Sequence, residues 1–338
     1  MPNLDIFQSN AFSMASLTAA VNKMPYQPNF LGALGVFTPA AITTTVAHVE
    51  ERRGTLSLIQ TAARGTMGDV RSRPQRQVRA FSVPHVPYYS TIMADDVQNI
   101  RQFGNETALE TVGSVVNDTL EEMRADHEAT HEFHRIGCIK GTVDDADGTD
   151  IYNYFTDFGI TQDTISDVTF ASVEMKDVAS EIIRNISNAL GGTPFKKIIG
   201  VCGDDFFDGL VTCPTVEAGY ERWQSSNFFR SSQLGPEYNA DMNGFDFGGI
   251  TWVNYRGSIG TTTFVGAGDC YLFPVGVRGL FLEIMAPADF METVNTRGRK
   301  LYAKQRRLDF DKGIEMHTQS NILYMCTRPQ VLQTVSEA

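Results

Sequence analysis

Apolar residues recur at intervals of three and four through a long stretch in the first half of the chain, which is the spacing of one helical face. The stretch opens with Thr107-x-x-Glu110, a capping box typical of a helix N-terminus. The pattern predicts a helix over 107–139, roughly 50 Å long at about 1.5 Å per residue, and single helices of that length are typical of structural spines. Its buried face would carry Leu109, Val112, Val116, Leu120 and Met123.

The chain before this helix has little regular patterning. Residues 1–50 are polar, rich in threonine and alanine, and interrupted by Pro25, Pro28 and Pro39, which indicates an arm. Strand candidates at 55–61 and 77–83 flank a stretch at 64–74 that is rich in glycine, proline and arginine. This arrangement predicts an extended hairpin, and because such a hairpin has no core of its own, it must lie on another surface to be ordered.

From residue 175 onwards helical and strand patterns alternate, which predicts an α/β unit. A helix over 178–190 is ended by two glycines, and the apolar run within 197–202 predicts a strand. Asp204 or Asp205 is the candidate cap of the next helix. The other predicted elements are helices at 206–210 and 216–224, a loop at 225–249, and strands at 152–158, 168–170, 250–255, 262–265, 271–275, 301–304 and 322–326.

Charge is unevenly distributed along a chain whose formal net charge is −12, a balance that makes it a poor general binder of nucleic acid. Residues 50–79 contain seven arginines and three acidic residues, and 297–312 contains seven basic and two acidic residues, whereas 144–177 contains nine acidic residues and one lysine. The alternatives are solvated loops that bind nothing, or head-to-tail contacts between copies. In the second case a neighbour's acidic face would meet the loop residues Arg64, Arg71, Arg73, Arg76 and Arg79.

Length and composition limit the class of protein. With 338 residues the chain exceeds one core of about 100–200 residues, so we expect two closely packed domains. There is no apolar run of the ~20 residues that a membrane helix needs and no secretory signal pattern, so we expect folding in the cytoplasm and no membrane partner. The five cysteines are scattered and never in C-x-x-C spacing, which argues against a disulfide scaffold or zinc ribbon and predicts buried free thiols.

One motif has the pattern of an active site. The segment from His127-Glu128 to His131 matches H-E-x-x-H on a helix, in which two histidines bind zinc and the glutamate acts as general base. His134 is a third candidate ligand, but on a straight helix it lies about 10 Å along the axis from His127, which is awkward for one tetrahedral centre. The alternative is that these histidines continue the buried stripe of the helix as packing or interface residues. We favour this alternative, so we predict no catalytic residue, no metal site and no cofactor.

The order of these features (arm, basic loop, long helix, acidic strand region, α/β unit, strand tail) resembles that of the major capsid proteins of tailed phages, in particular the lambda-like E-type family. The resemblance extends from about residue 30 to the C-terminus. The residues that support it are Phe30-Leu31, 46–51 with Gly54, 73–87, Gly298-Arg299-Lys300-Leu301-Tyr302-Ala303-Lys304, Gln319-Ser320 and Arg328-Pro329. Asn321-Ile322 stands where family members often have an apolar residue followed by proline.

The resemblance implies an α+β chain with the Hong Kong-type phage capsid fold. Its parts would be an N-terminal arm at 1–50, an extended loop at 51–90, a peripheral domain with the spine helix at 91–174, an axial α/β domain at 175–287, and a C-terminal return to the peripheral domain at 288–338.

The resemblance also implies partners. Copies would form the hexamers and pentamers of an icosahedral shell that encloses double-stranded DNA without sequence-specific binding, in a virion assembled in the host cytoplasm. It implies a portal, a decoration protein in place of covalent cross-links, and, because little chain precedes residue 30, a separate scaffold. The alternative functions are an encapsulin-like compartment shell and the zinc metallopeptidase suggested by His127, Glu128 and His131.

Overall fold

A computed structural model describes residues 30–53, 75–98, 112–223, 244–259 and 262–337. The helices are α1 (Phe30–Leu34), α2 (Ala94–Val97), α3 (Val112–Lys140), α4 (Tyr154–Phe158), α5 (Met175–Leu190), α6 (Asp204–Thr212) and α7 (Pro214–Trp223). The strands are β1 (Thr38–Ala41), β2 (Val46–Arg53), β3 (Gln75–Ser82), β4 (Val86–Met93), β5 (Thr142–Asp144), β6 (Asp150–Asn153), β7 (Asp163–Val168), β8 (Lys197–Cys202), β9 (Gly244–Phe247), β10 (Ile250–Asn254), β11 (Ser258–Ile259), β12 (Thr262–Thr263), β13 (Asp269–Val275), β14 (Phe281–Met285), β15 (Tyr302–Arg307), β16 (Gly313–Ser320), β17 (Ile322–Cys326) and β18 (Gln333–Glu337). None of the helices in these ranges combines the length and the hydropathy needed to cross a membrane.

The largest sheet has six strands in the order β7-β18-β13-β8-β10-β9. Strands β8 and β10 are parallel, and β13 runs antiparallel to β8 on its other side. The central place of β8 follows from its sequence, because a continuous apolar run suits a strand that is covered on both faces. Ile182 of α5, Phe206 of α6 and Trp252 of β10 belong to one core, with the last two ring centres 6.2 Å apart.

Strand β18 comes late in the chain but lies inside this sheet, between β13 and β7. It pairs parallel with β7 and antiparallel with β13. Gln333 Nε2 donates to Asp163 Oδ2 at 3.0 Å, and Gln162 Nε2 donates to Thr334 Oγ1 at 2.7 Å. The sheet therefore joins residues that are 170 positions apart in sequence.

Helix α3 connects two hydrophobic cores. Its N-terminal half buries Val116, Leu120 and Met123 against Ile314 and Met316 of an antiparallel three-stranded sheet with the order β15-β16-β4. Its C-terminal half is buried in the larger core, which also contains the six-stranded sheet. With 29 residues the helix is roughly 44 Å long, so it spans both cores.

The predicted spine residues fall on the buried side of α3 as far as they are described. Val116, Leu120 and Met123 are each at most 2% exposed, and Val112 is partly buried at the start of the helix. Leu109 lies outside the described residues, as does the predicted capping box.

Strands β2 and β3 form a two-stranded ribbon, with Val46 opposite Ser82 and Arg53 opposite Gln75. Within the described part of the chain neither strand pairs with a third one. The ribbon is anchored at its base, where the buried ring of Phe81 stacks on Phe158 at 5.9 Å. The two strands lead into residues 54–74, so the predicted extended hairpin begins earlier than the sequence pattern indicates.

Several predicted elements are confirmed, and others are wrong in position. Strands β8 and β17 match the predicted ranges, α5 contains the predicted helix, and all five cysteines are free and buried. The partner of β3 is β2, whereas the predicted strand at 55–61 lies outside the described residues. The predicted strand at 168–170 is displaced, because β7 ends at residue 168. Strand β9 lies within the predicted loop at 225–249, where it pairs with β10.

The predicted strand at 152–158 is wrong, because a helix begins within it. Asn153 Oδ1 accepts a hydrogen bond from Thr156 N at 3.2 Å, which is an N-cap. Gly159 then ends α4 with a φ of 64°, a conformation that glycine adopts without steric cost. The aromatic residues that suggested a strand therefore pack from a single helical turn.

The predicted cap of α6 is also wrong. Gly203 occupies the N-cap position, and a Cβ there would lie 2.1 Å from the carbonyl oxygen of Gly266, so the close approach of two backbones requires glycine. Asp204 instead accepts hydrogen bonds from Asn254 Nδ2 at 2.9 Å and Arg256 Nε at 2.8 Å.

Candidate functional site

The histidine motif lies on the buried face of α3, and its histidines are no more than 3% exposed. His127 Nε2 lies 3.0 Å from Thr318 Oγ1, and His131 Nε2 lies 2.9 Å from Ser320 Oγ, both on β16. The Ser320 hydroxyl donates its proton to the Lys300 carbonyl oxygen at 2.7 Å, so it accepts one from His131 Nε2. These contacts attach α3 to the neighbouring strand.

Glu128, the general base of the zinc hypothesis, belongs to a buried ionic network. Its Oε1 lies 2.7 Å from Lys300 Nζ, and its Oε2 lies 3.9 Å from Arg135 Nη2. Arg135 also donates to Glu132 Oε2 at 3.1 Å and to the Tyr324 hydroxyl at 3.2 Å. Its guanidinium lies 5.0 Å from the centre of the Tyr324 ring. Buried charges of this kind are tolerated because they are paired and hydrogen-bonded.

The network connects α3 to distant parts of the chain. Glu132 Oε1 accepts a hydrogen bond from Leu31 N of α1 at 2.9 Å, and the Tyr324 hydroxyl of β17 donates to Glu283 Oε1 of β14 at 3.1 Å. A cleft of about 240 Å³ opens beside these groups, lined by Leu31, Gly32, Gly35, Phe37, Arg135, Glu283 and Lys300. The sequence does not indicate these partners, which are far apart along the chain.

Burial controls the ionisation of these groups. Burial and the positive charge of Arg135 lower the pKa of His131 well below its ordinary value. Burial also lowers the pKa of His127 to about 4 and lowers that of His134. Burial raises the pKa of Glu132, although its hydrogen bonds oppose the change. The three histidines are therefore neutral at neutral pH and act as hydrogen-bonding and packing groups.

The histidine motif thus has the contacts of a packing element of α3. Among the residues that the structure describes, no three histidine, cysteine, aspartate or glutamate side chains are grouped so that they could hold a metal ion. The signal in the sequence is the continuation of the buried stripe, because His127 and His131 follow Met123 at steps of four.

The predicted loop arginines are described only in part. Arg64, Arg71 and Arg73 lie outside the described residues, and Arg76 is described only as part of strand β3. Arg79 contacts its own chain: its guanidinium donates to the backbone carbonyl oxygens of residues 157 and 158 and lies 5.0 Å from the centre of the Phe158 ring. Arg79 therefore holds the base of the ribbon against α4, which the sequence pattern does not predict.

The second basic stretch, 297–312, is largely paired within the chain. Lys300 pairs with Glu128, as described above, and Lys304 Nζ lies 3.1 Å from Glu292 Oε1. Arg306 pairs with Glu315, and Arg307 Nη1 lies 3.7 Å from Asp311 Oδ1. Four of the seven basic residues in this stretch therefore have acidic partners in the same subunit.

The fold is similar to that of solved phage capsid proteins. A protein described as a prophage capsid protein of E. coli CFT073 superposes with a TM-score of 0.61 at 13% identity, over 96% of this chain and 99% of that one. The capsid of cyanophage P-SCSP1u gives a TM-score of 0.51 at 12% identity, over 90% of this chain and 86% of that one. The fold is the α+β Hong Kong-type capsid fold.

Sequence comparison gives the family. The chain belongs to the family described as phage major capsid protein E, whose model matches residues 13–336. It is 26% identical to the major capsid protein of Pseudomonas phage KPP10, over 96% of each chain. It is 27% identical to the major capsid protein of Salmonella phage Felix O1 (isolate Felix O1-VT1), over 97% of each chain. Its function is to form the head shell of a tailed phage, and its location is the virion capsid.

Proposed function

We propose that copies of this chain join as hexamers and pentamers, and that the loop at 51–90 of one copy lies over its neighbour. The observation that supports this proposal is the ribbon of β2 and β3, which leads into a strongly basic segment. A ribbon without a core of its own gains stability by lying on another surface. Loops of this length in folded proteins usually have a function.

The loop arginines Arg64, Arg71, Arg73 and Arg76 then supply the contact with an acidic surface of the next copy. Asp145 and Asp147 in the turn between β5 and β6, and Asp150 at the start of β6, are exposed and belong to the acidic stretch 144–177. Each exposed ion pair contributes only about 0.2–1 kcal/mol. Repetition at every copy of a closed shell makes the sum of these contacts decisive.

A triple charge reversal, Arg71, Arg73 and Arg76 to Glu, tests the loop contact. We expect folded, soluble subunits that fail to form closed particles at moderate salt, because attractions become repulsions at every copy. Sedimentation measures the particles and circular dichroism checks the fold. The control is a reversal of three exposed residues outside the loop, Arg184, Arg278 and Arg297 to Glu, with the same change in net charge. Normal particles from the loop variant would refute the electrostatic contact.

We further propose that the shell encloses double-stranded DNA without sequence-specific contacts. The family membership supports the enclosure of DNA, and the acidic net charge of the chain makes it a poor general binder of DNA phosphates. Nuclease-protected DNA of mixed sequence in purified particles is the expected finding. A cargo protein in place of DNA would instead support an encapsulin-like compartment.

The remaining partners follow from the same family membership. We propose a separate scaffold, a decoration protein, a portal, and assembly in the host cytoplasm. The domain assignment also remains a proposal, with an arm at 1–50, a peripheral domain at 91–174, an axial domain at 175–287 and a return segment at 288–338. Strands β7 and β18, from outside 175–287, pair within the sheet of that axial segment.

We also propose that the chain has no enzymatic activity. The variant His127→Ala with Glu128→Ala loses the contacts to Thr318 and Lys300, so a packing cost is expected while particles still form. Stoichiometric zinc in the purified protein, together with peptidase activity that this variant lacks, would contradict the proposal.

A further inference from the structure

The hairpin of β15 and β16 ends in a turn that is fixed by backbone hydrogen bonds on both sides. Leu308 N donates to Gly313 O at 2.9 Å, and Asp311 N donates to Leu308 O at 3.1 Å. From the neighbouring α2, Ala94 N donates to Lys312 O at 3.1 Å. The position of the residue at the tip of the turn is therefore set by the surrounding backbone.

That residue, Phe310, has a backbone conformation that is unfavourable for its type. Its φ is 61° and its ψ is 22°, in the left-handed region where the Cβ of an L-residue is crowded against a carbonyl oxygen. Asp311 follows with a φ of 52°. Glycine and asparagine adopt this conformation readily, whereas a bulky aromatic residue there is an outlier. The turn itself therefore favours another residue at this position, and such outliers concentrate at functional sites.

Packing within the subunit does not explain the phenylalanine either. Phe310 is 92% exposed, and the Lys312 ammonium lies 5.9 Å from the centre of its ring. Met93, which is 45% exposed, lies opposite Gly313 in the pairing of β4 with β16, so a second apolar side chain occupies the same end of the sheet. An apolar ring held in solvent adds nothing to the stability of the isolated subunit.

The tip lies at the end of the subunit that is remote from the six-stranded sheet. Along β16, Ser320 contacts His131 and Thr318 contacts His127, so the strand approaches the start of α3 towards Gly313. The six-stranded sheet belongs to the core at the other end of α3. The tip is therefore a peripheral projection of the sheet β15-β16-β4, separate from the ribbon of β2 and β3.

We propose that Phe310 anchors a contact between two copies of this chain, with its ring inserted into an apolar surface of the second copy. The proposal rests on the shell-forming function and adds a contact to it. Burial of one phenylalanine is among the largest apolar gains that a single side chain offers, and the gain is repeated at every copy. The exposed residues Asp309, Asp311 and Lys312 flank Phe310 in sequence with both signs of charge, which suits contact between two copies of the same surface.

Substitution of Phe310 separates a role in assembly from a role in the fold. Phe310→Gly relieves the backbone strain and removes the anchor, so the thermal midpoint of isolated subunits should be unchanged or higher. The subunit concentration at which shells form should nevertheless rise by about tenfold or more. Phe310→Ala should have the same assembly defect, and Met291→Ala, at an equally exposed residue, should have none. Shell formation by both Phe310 variants at the wild-type concentration would overturn the proposal, as would a lower thermal midpoint for Phe310→Gly.

A photoreactive phenylalanine analogue at position 310 identifies what the ring touches. Shells assembled from mixed heavy-isotope and ordinary copies should give cross-linked peptide pairs of mixed label, which only two different copies can produce. Cross-links confined to a different protein, or to the same copy, would refute the second copy as the partner. If only the Phe310 variants assemble normally, while the loop reversal abolishes particles, this contact is wrong and the loop contact stands.

Discussion

Arg135 has an environment in which a positive charge is costly unless every partner is present. Its side chain is 3% exposed and lies among Glu128, Glu132 and Tyr324, and α1 reaches the same network through the backbone of Leu31. Removing the guanidinium would leave buried carboxylates without their partner, which is more damaging than the loss of one favourable contact.

We therefore expect Arg135→Ala to lower the free energy of unfolding of isolated subunits by about 3–5 kcal/mol. The control is Arg256→Ala, because Arg256 pairs with Asp204 while both side chains are more than half exposed. That change should cost about 0–1 kcal/mol. Urea denaturation followed by circular dichroism gives both values, and equal costs for the two variants would contradict a buried network.

At the scale of the element, α3 contains two glycines in opposite environments. A Cβ on Gly137 would lie 2.8 Å from Thr142 O and 3.1 Å from Val143 Cα, both backbone atoms of the adjacent β5. A Cβ on Gly113 would meet nothing within 4 Å. Glycine is unfavourable in helices, so its presence at 137 is explained by the close approach of β5, and its presence at 113 is not explained by packing.

Alanine substitutions at these two positions should change stability in opposite directions. Gly137→Ala overpacks the contact with β5 and should cost about 1–3 kcal/mol. Gly113→Ala reduces the backbone entropy of the unfolded chain and should stabilise the subunit by up to about 1 kcal/mol. Thermal denaturation of both variants beside the wild type measures the difference, and a stabilising Gly137→Ala would show that β5 is not packed so closely against α3.

Elements with an unambiguous pattern can be predicted from the sequence, and those that depend on distant partners cannot. The apolar runs of β8 and β17 and the periodicity of α5 give correct positions. The pattern does not predict β16, because it ends in Thr318, Gln319 and Ser320, which are polar although fully buried. Two of these residues are buried because His127 and His131 bind them from α3, and no local signal shows that.

The same distinction applies to the site. Helical spacing is sufficient to place the histidine motif on the buried face of α3 and to favour packing over zinc chemistry. It does not reveal that Glu128 pairs with Lys300, or that Arg79 binds backbone carbonyl groups of its own subunit. These partners lie 172 and 78 positions away in sequence, and only folding brings them together. A basic residue in a sequence pattern does not show whether its acid lies in the same copy or in the next.

At the scale of the whole molecule, the buried histidines make stability depend on pH. The folded pKa of His127 is about 4, below its ordinary value, and that of His131 is also lowered. Between the folded and unfolded pKa values of these histidines the unfolded state binds more protons. Their contribution to the free energy of unfolding is therefore fully present above about pH 6.5 and falls as the pH decreases towards 4. For His127 alone the loss is on the order of 3 kcal/mol. The raised pKa of Glu132 has the opposite effect, because its contribution to stability is lost as the pH rises. Variants that lack the histidines are therefore needed to isolate the histidine contribution.

The variant His127→Gln with His131→Gln should therefore lose less stability than the wild type between pH 7 and pH 5, because glutamine keeps a hydrogen-bonding amide and does not titrate. Urea midpoints measured at each pH give the slope of stability against pH. His48→Gln, at an exposed position, is the control and should keep the wild-type slope. Parallel slopes for all three proteins would show that the buried histidines do not set the acid sensitivity.

The position of β18 between β13 and β7 has a consequence for synthesis on the ribosome. Its partner β7 is translated 170 residues earlier, and at about 5–20 residues per second it waits roughly 10–30 s for the strand that joins it to the sheet. Once β13 has been translated, the edge that β18 will cover stays open until residues 333–337 are made, so the nascent chain is a target for chaperones and for aggregation. A polypeptide whose translation stops before residue 333 cannot close the sheet. A truncated chain therefore keeps an open edge on β13, whereas a chain that includes β18 covers it.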